Sequence, residues 1–279
     1  MEAIIREKKP HLKDASVYNM VVNIKKLYRD MFGSEDYDIS KFNDTSLIVE
    51  YLKDKPINTI MTYYTYLYTI TGLPFYKEEN GKLKKIRDSS DLPPADEEHT
   101  ISKEEIEEKF KELKKLSKQI YKQPITKEAL IVLQNAILIG LMGDMFMTPR
   151  RSKDYTEMLL KGKADDKNYI ENGEFVFNVY KTDKFYGQQR IKIPPVLKKM
   201  IDAYREVSPH EYLFTSLFGK QLQSIGARLN EIFGRPIGVN SMRRNSLKEY
   251  KPFLEQKQKI DDHMKSMGSS LSVLKNYTR

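Results

Sequence analysis

Tyr169-Ile-Glu-Asn-Gly-Glu-Phe-Val-Phe-Asn-Val-Tyr-Lys-Thr-Asp-Lys-Phe-Tyr-Gly-Gln-Gln-Arg-Ile-Lys-Ile193 is the stretch whose reading decides the fold. Its apolar residues change period from that of a helix to that of a strand. Phe175, Phe177 and Val179 alternate with their neighbours, and Ile191 and Ile193 do the same beyond a second turn. Asn172-Gly173 is a strong hairpin signal, because a tight two-residue turn needs positive φ at both positions. The segment predicts a small antiparallel sheet, with Lys181-Thr-Asp-Lys184 at the tip of its second hairpin.

On both sides the chain reads as helix. Upstream, Val17, Met20, Val21, Ile24, Leu27, Tyr28 and Met31 share one face of a helix that Gly33-Ser34 stops. Asn43–Ser46 offers N-cap candidates for a short helix through Leu52, and Pro56 opens a third carrying Ile57, Ile60, Met61, Tyr64, Leu67 and Tyr68. That third helix shows Thr59, Thr62, Tyr63 and Tyr66 away from its apolar stripe. Hydroxyl groups there can hydrogen-bond phosphate oxygens, although a plain Thr- and Tyr-rich surface would look the same.

Residues 77–99 are polar, with Asn80-Gly81, Ser89-Ser90 and Pro93-Pro94, and read as a linker whose basic half (Lys82, Lys84, Lys85) could touch a nucleic-acid backbone. Beyond it, Ser102 and Glu105 form a capping box, and Thr126 can cap the most apolar stretch of the chain. Residues 129–147 are interrupted by Gln134, Asn135 and Asp144, which favours a buried core helix over a membrane span. After Pro194-Pro195, Leu197, Met200, Ile201 and Tyr204 suit one helix, and Ile225, Leu229, Ile232 and Phe233 another, closed by Gly234. A further helix is expected from near Asn240.

The formal net charge is +9 and the pI about 9.2, which favours an anionic partner, either nucleic acid or an acidic membrane surface. Solvated lysine faces would give the same sum. Without cysteine there are no disulfides and no thiolate zinc sites, and four scattered histidines give no metal-ligand spacing. Met1–Lys9 has acidic residues and no apolar core, so no secretion signal is expected there.

Four short motifs remain. They are Thr148-Pro-Arg-Arg-Ser-Lys-Asp154, Lys181-Thr-Asp183 ahead of Ile191-Lys-Ile-Pro194, Ser241-Met-Arg-Arg-Asn-Ser246, and the tail Gly268-Ser-Ser-Leu-Ser-Val-Leu-Lys-Asn-Tyr-Thr278. In this order they resemble the catalytic boxes of the tyrosine recombinases, the family of phage-type integrases. The likeness is to divergent members such as integrases of mobile elements or large DNA viruses. It covers essentially the whole chain.

The resemblance implies a mainly α protein with a small antiparallel β-sheet and two domains. These would be a helical core-binding domain at 1–76, a linker at 77–99, and a mixed α+β catalytic domain at 100–279. It implies Tyr277 as nucleophile, Arg151 and Arg244 as the phosphate-binding arginines, Lys181 as general acid and Asp154 as support for Arg151. Arg150 is the alternative to Arg151, and Lys184 to Lys181. Ser241 and Asn245 stand where the family usually has His, and Gly268 stands where it has His or Trp. His263 is nearby but out of register. Thr59, Thr62, Tyr63, Tyr66, Lys82, Lys84, Lys85 and Arg243 would contact DNA.

The chemistry implied is strand cleavage and rejoining through a covalent 3′-phosphotyrosine. It needs no cofactor and no metal. It would act on double-stranded DNA, with dimers and tetramers forming on it, in the cytoplasm or nucleus rather than outside the cell or in a membrane. A type IB topoisomerase and a degenerate DNA-binding relic are the other readings.

Overall fold

The computed structural model describes residues 1–89 and 99–270. The chain divides into two compact units, Met1–Pro93 and Pro94–Arg279.

The first unit is helical. It contains α1 (Glu2–Lys8), α2 (Asp14–Phe32), a 3-10 turn (Ile39–Asn43), α3 (Thr45–Leu52), α4 (Ile57–Thr71) and α5 (Pro74–Ser89). Its core is the face expected from the 3.6-residue period: Val17, Met20, Ile24, Leu27 and Tyr28 of α2 meet Ile48 and Leu52 of α3 and Tyr64, Leu67 and Ile70 of α4. The Asp44 carboxylate accepts from the Leu47 N–H and caps α3. Gly33 and Gly72 end α2 and α4 in the left-handed region, at φ 64° and 77°.

Residues 77–89, expected to be linker, belong instead to α5. The helix is anchored at its start by Tyr76, which is fully buried and donates to the Phe42 carbonyl, and by half-buried Leu83. So little apolar surface leaves almost no periodic signal in the sequence. Lys82, Lys84 and Lys85 are exposed on this helix, and Lys82 pairs with Glu79 at 2.6 Å.

The second unit packs helices around a small sheet. It contains α6 (Lys103–Ile120), α7 (Lys127–Met142), α8 (Ser152–Thr156), β1 (Met158–Leu159), β2 (Asn168–Glu171), β3 (Glu174–Phe177), α9 (Asp183–Tyr186), β4 (Gln189–Lys192), α10 (Pro195–Val207), α11 (Ile225–Phe233), α12 (Val239–Lys248) and α13 (Lys251–Ser266). Ser102 and Thr126 accept from the N–H groups of Glu105 and Ala129 and cap α6 and α7. Helix α7 is the centre of the core, buried from Ala136 through Met142. Among the described residues no helix is long and apolar enough to cross a membrane.

The sheet runs in the order β1-β2-β3-β4. The β2–β3 and β3–β4 pairs are antiparallel, and the first turn has φ 51° at Asn172 and 77° at Gly173, as its sequence requires. The sheet as a whole is mixed, not purely antiparallel, because β1 joins β2 in parallel. Two residues are too few to leave a period-two pattern. The expected hairpin tip is also replaced: the β3–β4 connection carries the single-turn helix α9.

Candidate active site

The segment Thr148–Asp154 follows α7 in the chain and runs into α8. Two adjacent arginines in it have different surroundings. Arg150 is anchored on three sides. Its Nε donates to Asp154 Oδ2 at 2.8 Å and its Nη1 to Gln189 Oε1 at 2.9 Å. Its guanidinium carbon lies 3.9 Å from the ring centroid of Phe177 and 5.3 Å from that of Tyr180. Phe177 and Gln189 face each other across β3 and β4, so one cross-strand pair supplies both an aromatic face and an acceptor. Asp154 therefore supports Arg150 directly, in place of the Arg151 support that the sequence suggested.

Arg151 stands at the N-cap of α8 and opens onto a recess of about 390 Å³. Arg150, Asp154, Tyr186 and Arg243 line the same recess. Arg243 comes from α12, far along the chain. Among the described residues no hydrogen bond or ion pair holds the side chain of Arg151 or Arg243. Three guanidiniums thus face one carboxylate, and two of them have their donors free for an anion.

Asp154 is 3% exposed, and its Oδ1 has no hydrogen-bond partner. Burial pushes its carboxyl above the ordinary value, against the opposing pull of Arg150, Arg151 and Arg243.

The recess owes its shape to a residue that sequence reading missed. Asn168 is completely buried at the start of β2 and makes four hydrogen bonds. Its amide donates to the carbonyls of Asp154 and Val179, each at 2.9 Å, and its carbonyl accepts from the N–H groups of Asn178 and Val179, each at 2.8 Å. It ties α8 to the end of β3 and so fixes Asp154 relative to the Tyr180 side of the recess. Asn168, Gln189 and Phe177 carry no local motif. Only tertiary contact gives them a role.

The remaining expected residues fall elsewhere. Arg244 is exposed and does not line the recess, whereas its neighbour Arg243 does. Successive residues on a helix point about 100° apart, which separates the two. Ser241 is half-buried on α12 and also outside the recess. Lys181 and Lys184 are exposed in the β3–β4 connection, near Thr182 but not lining the recess themselves.

Gly268 follows α13 at φ 70°, with its N–H bonded to the Lys265 carbonyl and that of Ser269 to the Met264 carbonyl. That left-handed turn favours glycine at this position. His263 is exposed on α13. Tyr277 lies outside the described residues. In the first unit, Thr59, Thr62 and Tyr63 line a shallow polar recess with Asn23 and Asn58; Tyr66, on the same helix, does not.

No protein-family model, curated protein or solved structure matches the chain significantly.

Proposed function

We propose that this chain breaks and rejoins DNA strands in the manner of the tyrosine recombinases. The observation that carries the reading is the gathering of Arg150, Arg151 and Arg243 around one recess with a single buried carboxylate, Asp154. Such a site suits a phosphodiester, whose non-bridging oxygens gain charge in the transition state and are met by permanently charged forks.

In the proposed reaction the Tyr277 hydroxyl gives its proton to water and its oxygen attacks phosphorus. A tyrosyl phosphate ester forms at the 3′ side, and the bond to the 5′-oxygen breaks. Lys181 gives that leaving oxygen a proton. Rejoining reverses the sequence, with a 5′-hydroxyl as nucleophile. Arg243 takes the part that the resemblance gives to Arg244, and Arg150 and Arg151 together take that of the first arginine. Assembly of dimers and tetramers on paired duplex sites belongs to the same proposal.

A second reading, phosphate binding without cleavage, is favoured by one observation: Lys181 and Arg244 both stand outside the recess. The two are separated by trapping. The full chain is incubated with a randomised pool of nicked duplexes, from which the cleaved end diffuses away, and covalent protein–DNA adducts are resolved on a denaturing gel. Recombinase chemistry gives an adduct that Tyr277→Phe abolishes and that Arg151→Ala and Arg243→Ala reduce by at least a hundredfold, on the order of losing one oxyanion donor. DNA binding with no adduct on any sequence would leave the binding-only reading.

A further inference from the structure

The β3–β4 connection is a small tethered lobe. At its neck the Tyr180 hydroxyl donates to the Gly187 carbonyl at 2.6 Å, the Gly187 N–H donates to the Asp183 carbonyl at 2.8 Å, and the Gln188 amide reaches Asn178 Oδ1 at 2.7 Å. Gly187 closes the lobe at φ 63° and ψ −160°, a conformation open essentially to glycine alone. Residues 181–186 are therefore held in place. Yet the lobe presents two successive aromatic side chains to solvent, Phe185 at 84% and Tyr186 at 70% exposure. A fixed lobe with bare rings is an unfavourable way to leave two large apolar side chains unless something covers them.

Their position indicates what. Tyr186 lines the arginine recess, and Phe185 is its immediate neighbour in α9. Lys181 and Lys184 are exposed on the same lobe. A partner seated here meets cationic phosphate-binding groups on one side and a flat apolar face on the other. One nucleotide offers that pair of surfaces, a phosphate and the face of a base.

We infer that Phe185, with Tyr186 beside it, is a stacking platform for an unpaired nucleobase adjoining the phosphate held by Arg150, Arg151 and Arg243. The inference rests on the phosphate-binding part of the proposed function and adds a preference. Paired bases in a duplex have their faces covered by neighbours, so the lobe selects DNA that is locally unpaired or unstacked at the bound position. Because every base has such a face, the contact carries little sequence information.

The test uses the full chain and two fluorescein-labelled duplexes of one sequence, one fully paired and one with a three-nucleotide bulge containing 2-aminopurine. Anisotropy gives affinity, and 2-aminopurine fluorescence reports stacking. Phe185 is exposed and outside the recess, so its replacement should leave the fold intact. Stacking predicts that Phe185→Ala weakens binding to the bulged duplex about five- to a hundredfold and to the paired duplex less than twofold. Phe185→Leu should behave like Ala, Phe185→Tyr should restore binding, and the wild-type change in 2-aminopurine signal should vanish with Ala.

Equal effects on both duplexes, or none on either, with binding retained, would overturn the platform and leave the phosphate site standing. A wild-type chain that binds neither duplex would overturn both. Loss of self-association in Phe185→Ala, with unchanged preference for the bulge, would assign the ring to a second copy of the chain and overturn the inference.

Discussion

Arg150 and Arg151 are neighbours of one chemical type, and the structure gives them opposite consequences for stability. Replacing Arg150 by Ala removes a charge-assisted bond to Asp154, a bond to Gln189 and a stack on Phe177. It also strands Asp154, which is 3% exposed. Breaking a buried pair by deleting one member costs about 3–5 kcal/mol, because the other charge is left uncompensated. Set against a typical stability of about 5–15 kcal/mol, that is a large share.

Arg151→Ala removes no bond seen among the described residues and should stay within about 0.5 kcal/mol of wild type. The chain lacks tryptophan, so urea unfolding is best followed by far-ultraviolet circular dichroism. Hydrogen exchange on peptides spanning 168–192 then assigns the transition to the second unit. With a slope of about 2 kcal/mol per molar, Arg150→Ala should move the midpoint down by roughly 2 M. The double variant Arg150→Ala/Asp154→Ala should recover part of the loss, since it leaves no orphaned charge. If Arg151→Ala proved as damaging as Arg150→Ala, or Arg150→Ala were silent, Arg150 would not be the anchored member of the pair.

Three other outcomes are expected. Asn168→Ala leaves two carbonyls and two N–H groups without their partner, and at about 1–3 kcal/mol for each group left unsatisfied it should lower stability by roughly 3 kcal/mol or more; a melting temperature within a degree or two of wild type would rule out the clamp. Burial holds the folded Asp154 carboxyl above its ordinary value of 3.8, so the folded state binds that proton more tightly than the unfolded chain. Its contribution is thus fully present in acid and is lost as pH rises from about 4 through the raised value, and wild type should lose stability relative to Asp154→Asn across that window; a gain instead would mean that Arg150 outweighs burial. Finally, DNA affinity should fall linearly on a log–log plot against salt, and Arg151→Ala and Arg243→Ala should each make the slope shallower by about 0.9; unchanged slopes would remove both from the phosphate contacts.

The fold was most legible where one short segment carries its own cause. The stripe of α2, the caps Asp44, Ser102 and Thr126, and the Asn172–Gly173 turn each need only a few neighbouring residues, and all are found where the sequence puts them. Helix α5 was hidden because its apolar anchors cluster at its start, Phe75 and Tyr76, with Leu83 the one core contact further along. Strand β1 was hidden because it is held by pairing with β2 and not by a pattern of its own.

The candidate site shows a sharper version of the same division. A motif such as Thr148–Asp154 identifies the segment that reaches the recess and puts Arg151 in the expected place, with Arg150 beside it as the alternative. The choice between them is made by Phe177 and Gln189, a cross-strand pair with no sequence proximity to either. On α12 the choice between Arg243 and Arg244 is made by helix rotation, which depends on burying Met242 and Ser246 against the core. The recess is lined by an anchored Arg150 and by Arg151 and Arg243, so on α12 the lining arginine stands one residue before the one the motif indicates. A substitution series at these four arginines therefore tests the packing and the chemistry separately.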